Sequence, residues 1–359
     1  MQGIKNARLK GGLTPRKTLP QLINRNTVFE EKRKEATVSL LNIFNDEDAA
    51  EARQYINALC DELSVAEVQN LSTVELAEKI SALNTKRLRL LRACAEETFL
   101  FWYGYFQNGA EALNILDSPR GATIADLVDS NARPAGQRKR NSARLLFDTE
   151  NPHRLTNVLQ YVLATTNGFI SGIHGRYHHL ARSFGGKPIL HAHLHPSILS
   201  SIALWTMLMV DTGANCEVVR EMPLNCLSDT NDPTHKKVLF DNKARAGGIP
   251  IIDVLPLLPQ TGQRISSVEA IYRYIEMSTR MRHLAADGQG EKLFLMEYLN
   301  AVKPIEEFTA RGRFIEMTGR SPELAGLEIR PSYIRPSMLL EVCMRTADGT
   351  ASAQCVAQH

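Results

Sequence analysis

None of the six cysteines (Cys60, Cys94, Cys216, Cys226, Cys343, Cys355) stands in a Cys-x-x-Cys spacing, and together they form no regular framework. That argues against a disulfide-stapled secreted scaffold and predicts buried thiols in a reducing compartment. Long apolar runs are missing too. The most apolar stretch, Ile198 to Val210, is shorter than a membrane span and follows a helix-start signal, His195-Pro196-Ser197. The first residues, Met1-Gln-Gly-Ile-Lys5, lack the apolar centre of a signal peptide. No internal repeat and no low-complexity tract is present. Neither sign of charge dominates: 42 Lys and Arg stand against 39 Asp and Glu, for a net charge of +3 and a pI near 8.5. Mild basicity neither demands nor excludes a nucleic-acid partner, so the distribution of charge must decide. The expectation is a soluble cytoplasmic protein with no membrane partner.

What is present suffices for real cores. At 359 residues with 43% hydrophobic side chains, two domains are the natural prior and wholesale disorder is disfavoured. Residues 1–26 are rich in Lys, Arg, Gly and Pro and read as a basic arm. From about Val28 to Gly109, apolar residues recur at helical spacing, with Asn45-Asp-Glu-Asp48 and Ser72-Thr-Val-Glu75 as helix starts, the second a capping box. A loop follows, with basic residues within 131–145: Arg133, Arg138, Lys139, Arg140 and Arg144. Another helical stretch, roughly Pro152 to Arg182, leads to Phe184-Gly-Gly-Lys-Pro188, read as a domain boundary. Beyond it come an apolar helix over 197–210, the turn Asp211-Thr-Gly-Ala-Asn215, a second helix, and a β-hairpin within Lys236 to Ile252. The remainder, from Ser266, reads as mostly helical. The fold class is therefore mainly α with a small antiparallel β-sheet (α+β), split into a helical domain over 27–185 and a second domain over 187–359.

Toward the end stand Ser332-Tyr-Ile-Arg335-Pro-Ser337 and then Val356-Ala-Gln-His359. An Arg just inside a helix start, with a His following a small apolar run, resembles the distal active site of tyrosine recombinases (the phage-integrase family). The order of elements over 187–359 is similar as well. Such enzymes break and rejoin DNA through a Tyr that attacks a phosphodiester and leaves a 3′-phosphotyrosyl link. Fixed cationic donors stabilise the charge that develops on the phosphate oxygens, and Arg suits that role through its planar fork.

Carried over residue by residue, the resemblance implies that Arg335 is the second phosphate-binding Arg and His359 the His that follows it. Lys243, on the turn side of the hairpin, would protonate the leaving 5′-hydroxyl, with Arg245 on the same strand face as its substitute. Thr212-Gly213 matches the turn before the first Arg, yet Asn215 fills that Arg slot. Arg220 lies five residues on, about 140° round a helix. Ser332 stands where a His is usual. A Tyr nucleophile is expected after His359, where this chain stops. The resemblance thus implies site-specific DNA recombination or integration by a full-length parent, with this chain inactive as a strand transferase alone. The alternative is a catalytically inactive DNA-binding protein on the same fold.

The helical first domain would grip double-stranded DNA, with the basic loop on its backbone, and copies would associate on paired DNA sites near the nucleoid. No organic cofactor, nucleotide or metal is implied.

Three further signals have competing readings. His191, His193 and His195 alternate; on a strand they would share a face, as zinc ligands or, in preference, as a polar surface that meets DNA phosphate. Lys86, Arg87, Arg89 and Arg92 are either a DNA-facing helix stripe or solvated residues of a core helix. The aromatic run Thr98–Phe106 contains no cations and reads as packed core rather than a base-stacking platform.

Overall fold

Periodic apolar residues and well-placed caps account for most of the elements in a computed structural model of the chain. It describes residues 49–64, 71–114, 144–170, 178–240, 251–298 and 301–345, with Lys34 and Ile124 besides. The helices are α1 (Ala49–Asp61), α2 (Thr73–Leu113), α3 (Arg154–Thr166), α4 (His178–Ser183), α5 (Lys187–Ala192), α6 (Ile198–Thr212) and α7 (Cys216–Arg220). Strands β1 (Leu227–Asp229), β2 (His235–Phe240) and β3 (Ile251–Pro256) precede α8 (Ser267–Arg282). Strands β4 (Leu295–Tyr298) and β5 (Ala301–Pro304) lead to α9 (Glu307–Thr318) and α10 (Ile334–Arg345). The protein is mainly helical with small antiparallel sheets, and among the described residues no helix is long and apolar enough to cross a membrane.

Two compact units divide the chain. Described residues up to Leu88, with those from Ser332 onward, form the first; Arg89–Pro331 form the second. In the first, Tyr55, Ile56, Leu59 and Cys60 of α1 pack with Leu76 and Ile80 of α2, and with Tyr333 and Leu340. The Tyr55 and Tyr333 rings lie 5.4 Å apart. A polar spine runs through this core. Tyr55 donates to Asn84 Oδ1 at 2.6 Å, Asn84 Nδ2 donates to the Ser337 carbonyl at 2.9 Å, and Thr85 donates to Glu341. The expected capping box opens α2: Ser72 N–H donates to Glu75 Oε2 at 2.7 Å, while Glu75 N–H donates to Ser72 Oγ at 3.3 Å. Asn45–Asp48 lie outside the described residues.

At the centre of the second unit is α6. Every residue of it except Ile198 and Asp211 is buried, as expected for a helix apolar on all sides. Ser197 caps its start, accepting from Ser200 N–H at 3.0 Å, and Gly213 ends it at φ 69°. Around it pack α7, α8, α9 and β3. The strand order is β1-β2-β3, all antiparallel, and the β2–β3 register closes at Phe240 opposite Ile251. The helical stretch read from Pro152 is interrupted after Thr166, because Asn167 and Gly168 turn at φ 53° and 91°. Gly185 and Gly186 form another positive-φ turn, and residues on either side of it, Ala181 and Leu190, share one core cluster.

The aromatic run is mostly core: Phe99, Trp102, Tyr103 and Phe106 are buried, and Phe101 is exposed. Of the basic residues earlier in the same helix, Arg87 is buried against Glu62, and Arg92 is buried and paired with Glu96 and Asp211. Lys86 and Arg89 face solvent. Two of the four are therefore core charges, a division that periodicity alone does not give.

Gly109 in α2 supplies a test of packing against propensity. A Cβ built there would lie 2.0 Å from the carbonyl oxygen of His193. Helix propensity alone predicts that Gly109→Ala gains roughly 1 kcal/mol. The backbone clash reverses the sign, and a net loss of about 1–3 kcal/mol is expected in urea unfolding. A stabilised variant would contradict the close approach of α2 to His193.

Candidate functional site

The turn that the resemblance singles out is built by caps. Thr212 Oγ1 donates to the Leu208 carbonyl at 2.7 Å and accepts from Ala214 N–H at 3.1 Å, which fixes the exit of α6. Asn215 then takes an extended conformation (φ −62°, ψ 141°) and accepts from Glu217 N–H at 2.9 Å through its side-chain oxygen. It is the N-cap of α7. Asn is among the best residues for that position, because its short side chain reaches an otherwise orphaned amide.

Arg220, at the other end of α7, is also committed. Its Nη1 donates to the Ile305 carbonyl at 3.1 Å and pairs with Glu221 Oε1 at 2.7 Å. The guanidinium ties α7 to the segment after β5.

Strands β2 and β3 pair antiparallel, and Lys243 and Arg245, which fall between them in sequence, lie outside the described residues. In the first unit, Ser332 is half-buried in the short turn Pro331–Tyr333, and Arg335 follows in the first turn of α10, only 7% exposed. Tyr333 is a core residue, its ring tilted against that of Tyr55. Asn215, Arg220 and the hairpin belong to the second unit; Ser332 and Arg335 belong to the first. His359, Arg133, Arg138, Lys139 and Arg140 lie outside the described residues, and Arg144 is exposed at the start of a short helical turn.

The alternating histidines are not on a strand. His191 is in α5 and His193 is its αR C-cap, so a helical turn places His191 and His195 side by side, ring centroids 5.1 Å apart. His193 points elsewhere, edge-on to Tyr105 at 5.3 Å, with Nδ1 2.9 Å from the Ile189 carbonyl. Both His193 and His195 are buried, which corrects the expectation of a polar surface for DNA phosphate. The reason is periodicity: at 3.6 residues per turn, i and i+4 meet and i+2 does not. Burial holds the His193 imidazole below its ordinary pKa and pushes that of His195 down to about 3.

Glu297 of β4 completes this cluster, its Oε2 3.0 Å from His191 Nε2 but off the hydrogen-bond direction. Nothing in the sequence signals Glu297, which is more than 100 positions away. Among the described residues no group of His, Cys, Asp and Glu could hold a metal ion.

Burial pushes the Cys226 thiol up to about 12, which makes it unreactive. Comparison with family models, curated proteins and solved structures finds no match for this chain.

Proposed function

We propose that this chain belongs to a DNA-recombining protein of the tyrosine-recombinase type, which breaks and rejoins double-stranded DNA through a 3′-phosphotyrosyl link. One observation carries the reading: the order of elements along the chain. A buried, capped α6 ends at the Thr212-Gly213 turn; α7, an antiparallel hairpin framing Lys243, and a helix with Arg335 in its first turn follow in the order that the resemblance implies.

In this scheme Lys243 gives a proton to the leaving 5′-oxygen, while Arg335 and His359 brace the non-bridging oxygens. Copies of the protein assemble on paired DNA sites, at the nucleoid.

A second reading, DNA binding without strand cleavage, is favoured specifically by Asn215. A side chain used as a helix cap does not clamp phosphate, and Arg220 is held by Ile305 and Glu221.

Duplex binding by the full chain separates both readings from a protein without a DNA role. Binding should weaken linearly in log K against log salt, and replacing Arg138, Lys139 and Arg140 by Ala should reduce that slope by about 2–3. An unchanged slope would remove the basic loop from the interface. To separate the first reading from the second, protein that carries the expected Tyr is incubated with a nicked suicide substrate. A covalent adduct that Arg335→Ala abolishes supports recombination; no adduct supports the binding reading, and an adduct indifferent to Arg335→Ala displaces the active site from α10.

A further inference from the structure

A cleft of about 540 Å³ opens in the second unit, lined by residues of α2, α5, β4 and α9 and by the start of α6. Its size is that of a small-molecule site. Trp102, Ile198 and Met296 supply apolar wall, while Lys187, Arg313 and Arg320 bring three cations against two carboxylates, Glu297 and Glu316.

The carboxylates are already engaged. Glu316 is shared between Arg313 Nη1 and Arg320 Nη2, each at 2.5 Å. Burial pushes its carboxyl up, but the two arginines outweigh that and hold it below the usual range. Glu297 faces His191 as described. Two arginines on one carboxylate leave positive charge over, and half-buried Lys187 has no ion-pair partner among the described residues.

Two further donors belong to residues that line the cleft. The first-turn residues Ile198 and Leu199 of the fifteen-residue α6 line the cleft, where a helix start presents free amides and the positive end of its dipole. Independently, the indole N–H of Trp102, itself only 6% exposed, has no acceptor among the described residues.

We infer that this cleft binds a small organic anion: an apolar body against Trp102, Ile198 and Met296, and a carboxylate or phosphate group held by Lys187, Arg313 and the start of α6. The inference does not depend on the DNA reading. The volume suits a free small molecule, which is the occupant inferred.

Calorimetric titration of the full chain with 3-phenylpropionate and phenyl phosphate tests it, with 3-phenylpropanol as the uncharged control. Saturable one-to-one binding of at least one anion is expected, weakened about tenfold or more by Lys187→Ala and by Arg313→Gln, with the alcohol far weaker. Arg313→Gln leaves Glu316 paired with Arg320, so an unchanged circular dichroism spectrum should accompany the loss. No saturable binding of either anion up to about 10 mM overturns the proposal. So does binding that both substitutions leave intact, or an alcohol as tight as the acid. Displacement of the bound anion by a short DNA duplex would also overturn it, by assigning these cations to backbone phosphate.

Discussion

Replacing Arg92 by Met is expected to cost about 3–5 kcal/mol of stability, since it leaves the buried Glu96 and the half-buried Asp211 without their cation. Arg92 Nε donates to Asp211 Oδ1 and Oδ2 at 2.9 and 3.1 Å, Nη1 lies 3.4 Å from Glu96 Oε2, and Nη2 donates to the Ile265 carbonyl at 3.0 Å. The guanidinium and the Glu96 side chain are about 6% and 5% exposed, so solvent cannot replace the lost donor. The carboxylates have other duties that make them hard to neutralise without loss. Glu96 Oε1 accepts from Ile265 N–H at 2.8 Å and from Arg264 N–H, and Asp211 accepts from Ser267 Oγ at 2.6 Å.

The network therefore ties α2 to α6 and to the segment that starts α8. Met preserves volume and helix propensity, which leaves charge pairing as the main quantity changed. Urea unfolding should show a lower midpoint at unchanged slope. Adding Asp211→Asn to the same chain should recover part of the loss, because one of the two unpaired charges is then removed with its partner. A cost below about 1 kcal/mol for Arg92→Met would mean that water reaches the carboxylates.

The second large effect is a pH dependence carried by His195. Burial is the main cause of its depressed pKa of about 3; the neighbouring His191 and Arg280 add to it, while Glu297 and a contact with Gly168 oppose it. An unfolded His titrates near 6.5, so the unfolded chain binds the extra proton first as pH falls. The stability tied to neutral His195 is complete above about pH 6.5 and is lost progressively toward pH 3, by up to roughly 1.4 kcal/mol per unit.

Between pH 6.5 and 5, above the range where ordinary carboxylates titrate, the wild-type chain should lose stability faster than His195→Gln by close to one proton's worth of slope. Urea midpoints measured across that window decide it. Equal slopes would show that His195 binds its proton in the fold as readily as in the unfolded chain.

Both predictions concern residues whose surroundings were invisible in the sequence, and the pattern is general here. The mainly helical class, the buried α6 with its Ser197 and Gly213 caps, the Ser72–Glu75 capping box and the β2–β3 hairpin were legible, since each rests on residues within a few positions of one another. Asn215 was legible as the end of a turn that runs into a helix; its role as a cap needed the backbone angles at that residue. Arg92 looked like part of a basic stripe because its carboxylate on α6 is 119 positions away. The three histidines misled by their spacing, since alternation has opposite meanings on a strand and on a helical turn.

By itself the sequence determined local states: which segments are helical or extended, where they start and stop, and which faces are apolar. Those depend on propensity, periodicity and capping, all short-range. Tertiary structure alone decided which charges are paired and buried, which histidines share a face, and that α1 and α10, from opposite ends of the chain, lie in one unit. It also decided that Lys187, Trp102 and Arg313 line one cleft. The reason is that a charge's cost or value is set by the partners and solvent around it, and folding gathers those partners from positions hundreds of residues apart.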